Sequence, residues 1–292
     1  MRRQKSEGRM KNGTALVAIA CSMFFILRSS IAQSVLSAPG LAAFGTNAVT
    51  GGGGGGGGDD LVNISLRWLA DDISQSDGSS VVIWPDHLGN GNGLLGGWDG
   101  SGSALQAIGQ PVVKNSIVNG HNAVLFDGVN DRLGTNVLAT AMGTATANTI
   151  FIVIKQDGSQ ANNCAASWNF SDFGLYATFS DLLIYDYPFN SGSGRISKSQ
   201  PAGWDNNWHV LEVYRNGGTS EILVDGTSLG TASVSGSFAT SGSHDFLLGC
   251  KDYGSTFPFK GYIAEVRVYN VAKDSTSRSN IRAALKSTYG TP

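Results

Sequence analysis

Glutamate is almost missing from this chain. Of its 22 acidic residues 18 are aspartate, and only Glu7, Glu212, Glu221 and Glu265 are glutamate. Charged residues make up 14% of the 292, well under the usual quarter, and proline (7) and cysteine (3) are scarce. Each shortage excludes something. Without Glu-rich, Lys-rich periodic segments there is no material for helical bundles or coiled coils. A formal charge of −2 excludes a general electrostatic grip on nucleic acid. Three cysteines cannot build a disulfide framework. Past residue 32 no apolar run is long enough to span a bilayer.

What is present points outward and toward strands. Residues 1–32 carry Arg2, Arg3, Lys5, Arg9, Lys11 and Arg28 against Glu7, then a thirteen-residue apolar-rich stretch from Ala15 to Leu27. Ser30-Ile31-Ala32 supplies the small residues of a cleavage site before Gln33, so this segment reads as a secretory signal, with an uncleaved anchor as the rival reading. Residues 33–60 read as a flexible Ala/Ser/Gly linker ending in eight glycines, Gly51 to Gly58, with Asp59 and Asp60 opening the folded part. The expected location is extracellular or cell-surface, with no membrane span once the signal is cleaved.

From residue 61 to 292 short apolar runs alternate with turn dipeptides. Asp-Gly begins at 77, 99, 127, 157 and 225, and Asn-Gly at 90, 92, 119 and 216, supplying the positive φ of tight turns. Trp208–Tyr214 and Tyr262–Tyr269 alternate with a period near two. Many short strands with no helix between them predict an all-β, two-sheet antiparallel sandwich or barrel. One helix is expected at the end, capped by Asp274 or Ser275, burying Ile281, Leu285 and Tyr289, and stopped by Gly290.

The strand motifs resemble, in order, those of secreted bacterial LamG-like jelly-roll domains of the concanavalin A-like lectin/glucanase type. They are Leu66–Asp71, Val82–Asp86 with Gly89–Asn92, Val124–Asp131, Asn207–Val210, Leu223–Gly226, Gly261–Asn270 and the terminal Lys286–Gly290. The resemblance implies a sandwich of two curved antiparallel sheets. That fold serves lectins, adhesion modules and some glycoside hydrolases, so it leaves function to the site.

Hydrolases on this fold use clustered carboxylates on one strand, because one must protonate the leaving oxygen while the other attacks or activates water. Here Glu212, Glu221 and Glu265 are singletons, so no enzyme is expected. Gly91-x-Gly93-x-x-Gly96 lacks the strand–helix context of a dinucleotide loop, and Gly226-Thr227-Ser228-Leu229-Gly230 lacks the helix of a nucleophile elbow. The expected function is a recognition module binding carbohydrate or a cell-surface protein. A structural or adhesive surface or filament subunit, with self-assembly, is the alternative, and a glycoside hydrolase is the third reading.

Sugar binding needs an exposed aromatic beside amide or carboxylate groups. By composition the candidates are Trp168 with Asp172, Tyr185 and Tyr187, Trp204 with Asp205, and Tyr253. Trp68, Trp84 and Trp208 are assigned to the core instead. Asp127 and Asp131 are the candidate ligands of a Ca²⁺ ion, with plain turn chemistry as the competing account. Cys164 and Cys250 can form a disulfide in an oxidising compartment, or stay as two buried thiols.

Overall fold

The computed structural model describes residues 58–100, 109–143, 146–168, 173–180, 182–186, 195–234, 242–254 and 256–292. The expected signal and nearly all of the linker therefore lie outside the described residues.

The strands are β1 (Ile64–Leu69), β2 (Ile83–Trp84), β3 (Leu94–Gly96), β4 (Val112–Val118), β5 (His121–Asp127), β6 (Leu133–Leu138), β7 (Ala147–Gln156) and β8 (Asn162–Trp168). They continue as β9 (Phe173–Phe179), β10 (Leu182–Asp186), β11 (Ile196–Ser199), β12 (His209–Asn216), β13 (Thr219–Val224), β14 (Thr227–Ser233), β15 (Ser243–Leu248) and β16 (Lys260–Tyr269). A one-turn helix, α1 (Ala139–Met142), follows β6, and α2 (Ser275–Tyr289) closes the chain. The first sheet runs β14-β13-β12-β7-β16-β5-β4 with β1 paired to β16, and the second runs β11-β10-β9-β8-β15-β6-β3-β2. All named strand pairs are antiparallel, as a jelly-roll sandwich requires.

The core lies between the sheets. Ile150, Ile152 and Ile154 of β7, Leu211 and Val213 of β12, and Val266 and Val268 of β16 face Leu133, Phe246, Leu248 and Trp168 of the second sheet. The opposite face of the first sheet is also apolar. Phe151, Val153, Val210 and Ala264 meet Ile281, Leu285 and Tyr289 of α2. The helix has the expected ends. Asp274 accepts from the Ser277 N–H at 2.8 Å, and Gly290 takes the left-handed conformation. It lies over part of the sheet only, which leaves the end of the outer face near Lys155 and Tyr262 half-open.

The Asp-Gly reading holds at the β13–β14 hairpin, where Asp225 (φ 52°) and Gly226 (φ 90°) both take positive φ. Gly226–Gly230 is thus part of a strand-to-strand hairpin, and Ser228 is paired with Leu223. Asp59 and Asp60 open the ordered chain as expected. Asp59 pairs with Arg267 at 2.5 Å and Asp60 with Lys273 at 2.9 Å, which ties the start of the domain to β16 and the segment after it.

Candidate functional site

The tryptophans divide sharply. Trp68, Trp84, Trp98, Trp168 and Trp204 are buried, and Trp208 alone of the six reaches solvent. Trp68 and Trp84 are core residues as expected, but the other assignments reverse. Trp168 is 0% exposed: its ring fills the inter-sheet core, edge-on to His244 at 5.5 Å. Trp204 is 2% exposed and stacks on His209 at 5.0 Å, with Nε1 donating to Gln156 Oε1 at 3.2 Å. Neither ring has a free face for a sugar.

Asp205 is adjacent to Trp204 and shares its fate. Its Oδ1 accepts from Gln156 Nε2 at 2.7 Å. Gln156 Oε1 also accepts from Asn163 Nδ2 (3.0 Å) and Thr178 Oγ1 (2.6 Å). Trp204 and Asp205 therefore belong to a buried polar hub that joins β7 of one sheet to β8 and β9 of the other. Tyr185 lies in β10, paired with Leu175 and Ile196. Asp172 and Tyr187 fall outside the described residues. Tyr253 is half-buried against Trp98, Leu247 and Cys250 on the outer face of the second sheet.

A half-exposed aromatic pair forms elsewhere, on the outer face of the first sheet at the rim of the cluster that α2 covers. Lys155 of β7 stands between Tyr262 of β16, its register partner, and Trp208, which continues β12 on the other side. The Lys155 ammonium is 4.6 Å from the Tyr262 ring centroid and 5.8 Å from that of Trp208. The two rings are 5.9 Å apart and inclined at 52°. The same cross-strand row continues through Leu125 of β5 and Val112 of β4. All five side chains are half-exposed.

One step along the strands is a polar row. Lys260 pairs in register with Asp127 and forms an ion pair with Asp157, 3.2 Å away. Gln160 donates to the carbonyls of Asp157 (3.1 Å) and Lys260 (2.7 Å). An apolar ring pair bordered by the exposed Asp157 carboxylate and Lys260 ammonium matches the two faces of a sugar, C–H on one side and hydroxyl at the rim. The core assignment of Trp208 rests on its place in one of the strand motifs that carry the resemblance, which does not distinguish a covered face from an open one. The usable signal is Lys155: the cation that ends the apolar run from Ile150 to Ile154 marks where the outer face meets water.

The glutamates are committed to structure. Glu212 lies under α2 and accepts from Arg278 (2.7 Å) and Arg282 (2.5 Å). Burial raises its pKa, and the two arginines only partly offset that rise. Glu265 accepts from Arg67 Nε, Arg267 Nε and the Tyr289 hydroxyl. Burial opposes its ionisation, but the Arg267 and Arg67 charges outweigh burial and hold the carboxyl below its usual range. Both carboxylates are covered by helix and arginine. The His209–Asp225 pair (2.6 Å) is likewise enclosed, since Asp225 also accepts from Val210 N and the second His209 ring nitrogen meets Gly203 O.

Asp127 and Asp131 do come together. Asp131 Oδ2 accepts from Asp127 N at 2.8 Å, and Asp127 Oδ1 accepts from the N–H groups of Val129 and Asn130. Burial, with the Asp127 charge adding, pushes the Asp131 carboxyl up to about 6. Among the described residues no third histidine, cysteine or acidic side chain joins them. So small a donor set does not by itself make a calcium site, which calls for six to eight oxygens. Of the two alternatives for Cys164 and Cys250 the structure shows the buried thiols, with Cys164 Sγ donating to Ala166 O and Cys250 Sγ to Asp252 O. Burial pushes the Cys250 thiol up to about 12, far from reactive thiolate.

Residues 134–277 match the family model of the concanavalin A-like lectin/glucanases superfamily, so the resemblance read from the strand motifs is borne out. No curated protein matches the chain in sequence. Among solved structures it is similar to domain 4 of AbnA, a GH43 extracellular arabinanase from Geobacillus stearothermophilus, in complex with arabinotriose. That identity is 15%, over 75% of this chain and 98% of that one, with a TM-score of 0.53. It is also similar to the binding domain of Botulinum neurotoxin DC in complex with rat synaptotagmin II (12% identity, 76% and 52% covered, TM-score 0.52). A third similarity is to Trypanosoma rangeli sialidase (14% identity, 78% and 33% covered, TM-score 0.51). The chain thus spans nearly all of the first of these, about half of the second and a third of the last. At such identities the shared property is the jelly-roll fold. Among the described residues no helix is long and apolar enough to cross a membrane.

Proposed function

We propose that this concanavalin A-like jelly-roll domain is a non-catalytic, extracellular recognition module that binds glycan on the Trp208–Tyr262 platform. One observation carries the reading: the single tryptophan that reaches solvent stands beside a half-exposed tyrosine, with a row of exposed polar groups one step away. Stacking of a sugar ring on Trp208 and Tyr262 would supply apolar contact, and Asp157 and Lys260 would replace water at the hydroxyls. A non-catalytic role is supported by Glu212 and Glu265, which are enclosed and arginine-bound where a glycosidase needs two carboxylates facing a cleft. The arabinanase domain solved with arabinotriose is a case of a saccharide held on this fold.

The test is a glycan array followed by affinity electrophoresis with the wild-type protein, W208A and Y262A, in calcium and in chelator. Retention of a saccharide by the wild type and its loss in W208A, with the fold intact by circular dichroism, is the expected result. A wild type that retains no saccharide in either buffer, or a W208A protein that binds like wild type, overturns it.

A further inference from the structure

Lys155 is an unusual component for a neutral stacking platform. Its ammonium lies between two aromatic rings, half-buried, with Leu125 in the same row. Removing a cation from water is costly unless an anion meets it. Here the rings are the compensation, and cation–π attraction at such a site amounts to only about 0.5–2 kcal/mol.

The carboxylates that surround Lys155 are all otherwise engaged. Asp157, two residues along the same outer face, pairs with Lys260 at 3.2 Å. Asp127, opposite Lys260, accepts from Val129 N and Asn130 N. Glu265, on the other side of the row, is consumed by Arg67, Arg267 and Tyr289. Among the described residues no carboxylate lies within ion-pair distance of Lys155, whereas the neighbouring Lys260 has one. The platform therefore offers, at its centre, a cation without an anionic partner, flanked by the two rings on which a pyranose would lie.

Resting on the glycan-platform reading above, we infer that the preferred ligand is a carboxylated sugar, a uronic or sialic acid, whose ring stacks on Trp208 and Tyr262 while its carboxylate accepts from Lys155 Nζ. Lys155 is then the specificity-determining residue and Trp208 the affinity-determining one. A neutral glycan gains the stacking but leaves the ammonium without an anion, while an acidic one gains both. A charge-assisted hydrogen bond at a partly desolvated site is strong enough to separate the two by about ten-fold in Kd.

The experiment uses ligand pairs that differ only at the carboxylate. Oligogalacturonate is compared with its methyl ester, and sialyllactose with its sialic acid methyl ester, by calorimetry on the full chain and its K155Q, K155R and W208A variants. The acidic member of at least one pair should bind about ten-fold tighter than its neutral partner. K155Q should erase that difference while keeping the neutral affinity, K155R should keep it, and added salt should weaken acidic binding only. W208A should lose both members. Equal affinity for acid and ester, binding of neutral sugars only, or an acid preference that survives K155Q overturns this inference and leaves the platform reading standing. If no member of either pair binds and the array is also blank, the platform reading falls with it.

Discussion

The hydroxyl of Tyr289, on the last turn of α2, donates to Glu265 on β16 across 2.9 Å, in the dry layer between helix and sheet. Arg67 and Arg267 meet the other oxygen of the same carboxylate at 2.7 and 2.6 Å. One buried acid thus joins β1, β16 and the C-terminal helix.

That arrangement sets a pH dependence. The folded protein holds Glu265 below its ordinary range, so its contribution is present above the unfolded value of about 4.5 and is lost as pH falls through the folded one. Glu265→Gln leaves Arg67 without its anion and Arg267 with Asp59 alone, and should cost about 3–5 kcal/mol at pH 7. The difference from wild type should shrink as both proteins are acidified. Urea melts from pH 7 to pH 3 check this, and a difference independent of pH would contradict it. Tyr289→Phe, which removes one hydrogen bond to a charged acceptor, should cost about 1.5–3 kcal/mol.

Two tryptophans four residues apart should respond in opposite ways. Trp204→Ala opens a cavity in the core and removes a donor from Gln156, so a loss of about 3–5 kcal/mol is expected. Trp208→Ala removes a half-exposed ring from the rim of the helix-covered cluster and should cost at most about 1.5 kcal/mol. Chemical denaturation of both variants separates core from surface. Equal losses would place Trp208 in the core after all.

The fold was legible because strand alternation, Asp-Gly turns and a capped terminal helix all act locally. The site was not, and β7 shows why. Its run from Thr149 to Ile154 has apolar side chains on both faces, Ile150, Ile152 and Ile154 inward and Phe151 and Val153 toward α2. Alternation identifies two faces but does not say which is covered, since that depends on where a helix more than a hundred residues later comes to rest. The same blindness assigned Trp204 and Asp205 to the surface. Their loop reads as polar, and only the hub at Gln156, brought in from another strand, draws them inside.

Glycine shows a similar contrast. Gly249 follows β15 at φ +88°, and a Cβ there would lie 2.4 Å from the Phe126 ring and 2.6 Å from Asp131 O. Gly217, in the β12–β13 turn at φ +58°, has nothing within 4 Å of that position. Gly217→Ala should therefore cost only the left-handed backbone penalty, about 1–2 kcal/mol. Gly249→Ala adds overpacking against a buried ring and a backbone carbonyl and should cost about 2–5 kcal/mol. Thermal melts of the pair distinguish backbone strain from steric exclusion, and similar losses would mean the core around Phe126 yields freely.

Gln156 offers the sharpest test of the hub, because its amide both donates and accepts. Its oxygen serves Asn163, Thr178 and Trp204, and its nitrogen serves Asp205 and Gly158 O. Gln156→Leu keeps the bulk but deprives three buried donors of their acceptor, each worth about 1–3 kcal/mol, so a loss of at least about 3 kcal/mol is expected. Gln156→Glu keeps the acceptor and sets a second carboxylate against Asp205 Oδ1, where the native N–H now sits. Burial and the Asp205 charge would raise the pKa of that new carboxyl above its unfolded value, so the folded state would take up a proton more readily than the unfolded chain. Relative to wild type, Gln156→Glu should thus be poorest at neutral pH and recover on acidification, while Gln156→Leu stays low throughout. Melts of both variants at pH 7 and pH 4.5 decide it: parallel behaviour would mean that the Gln156 nitrogen is not the group holding Asp205 in place.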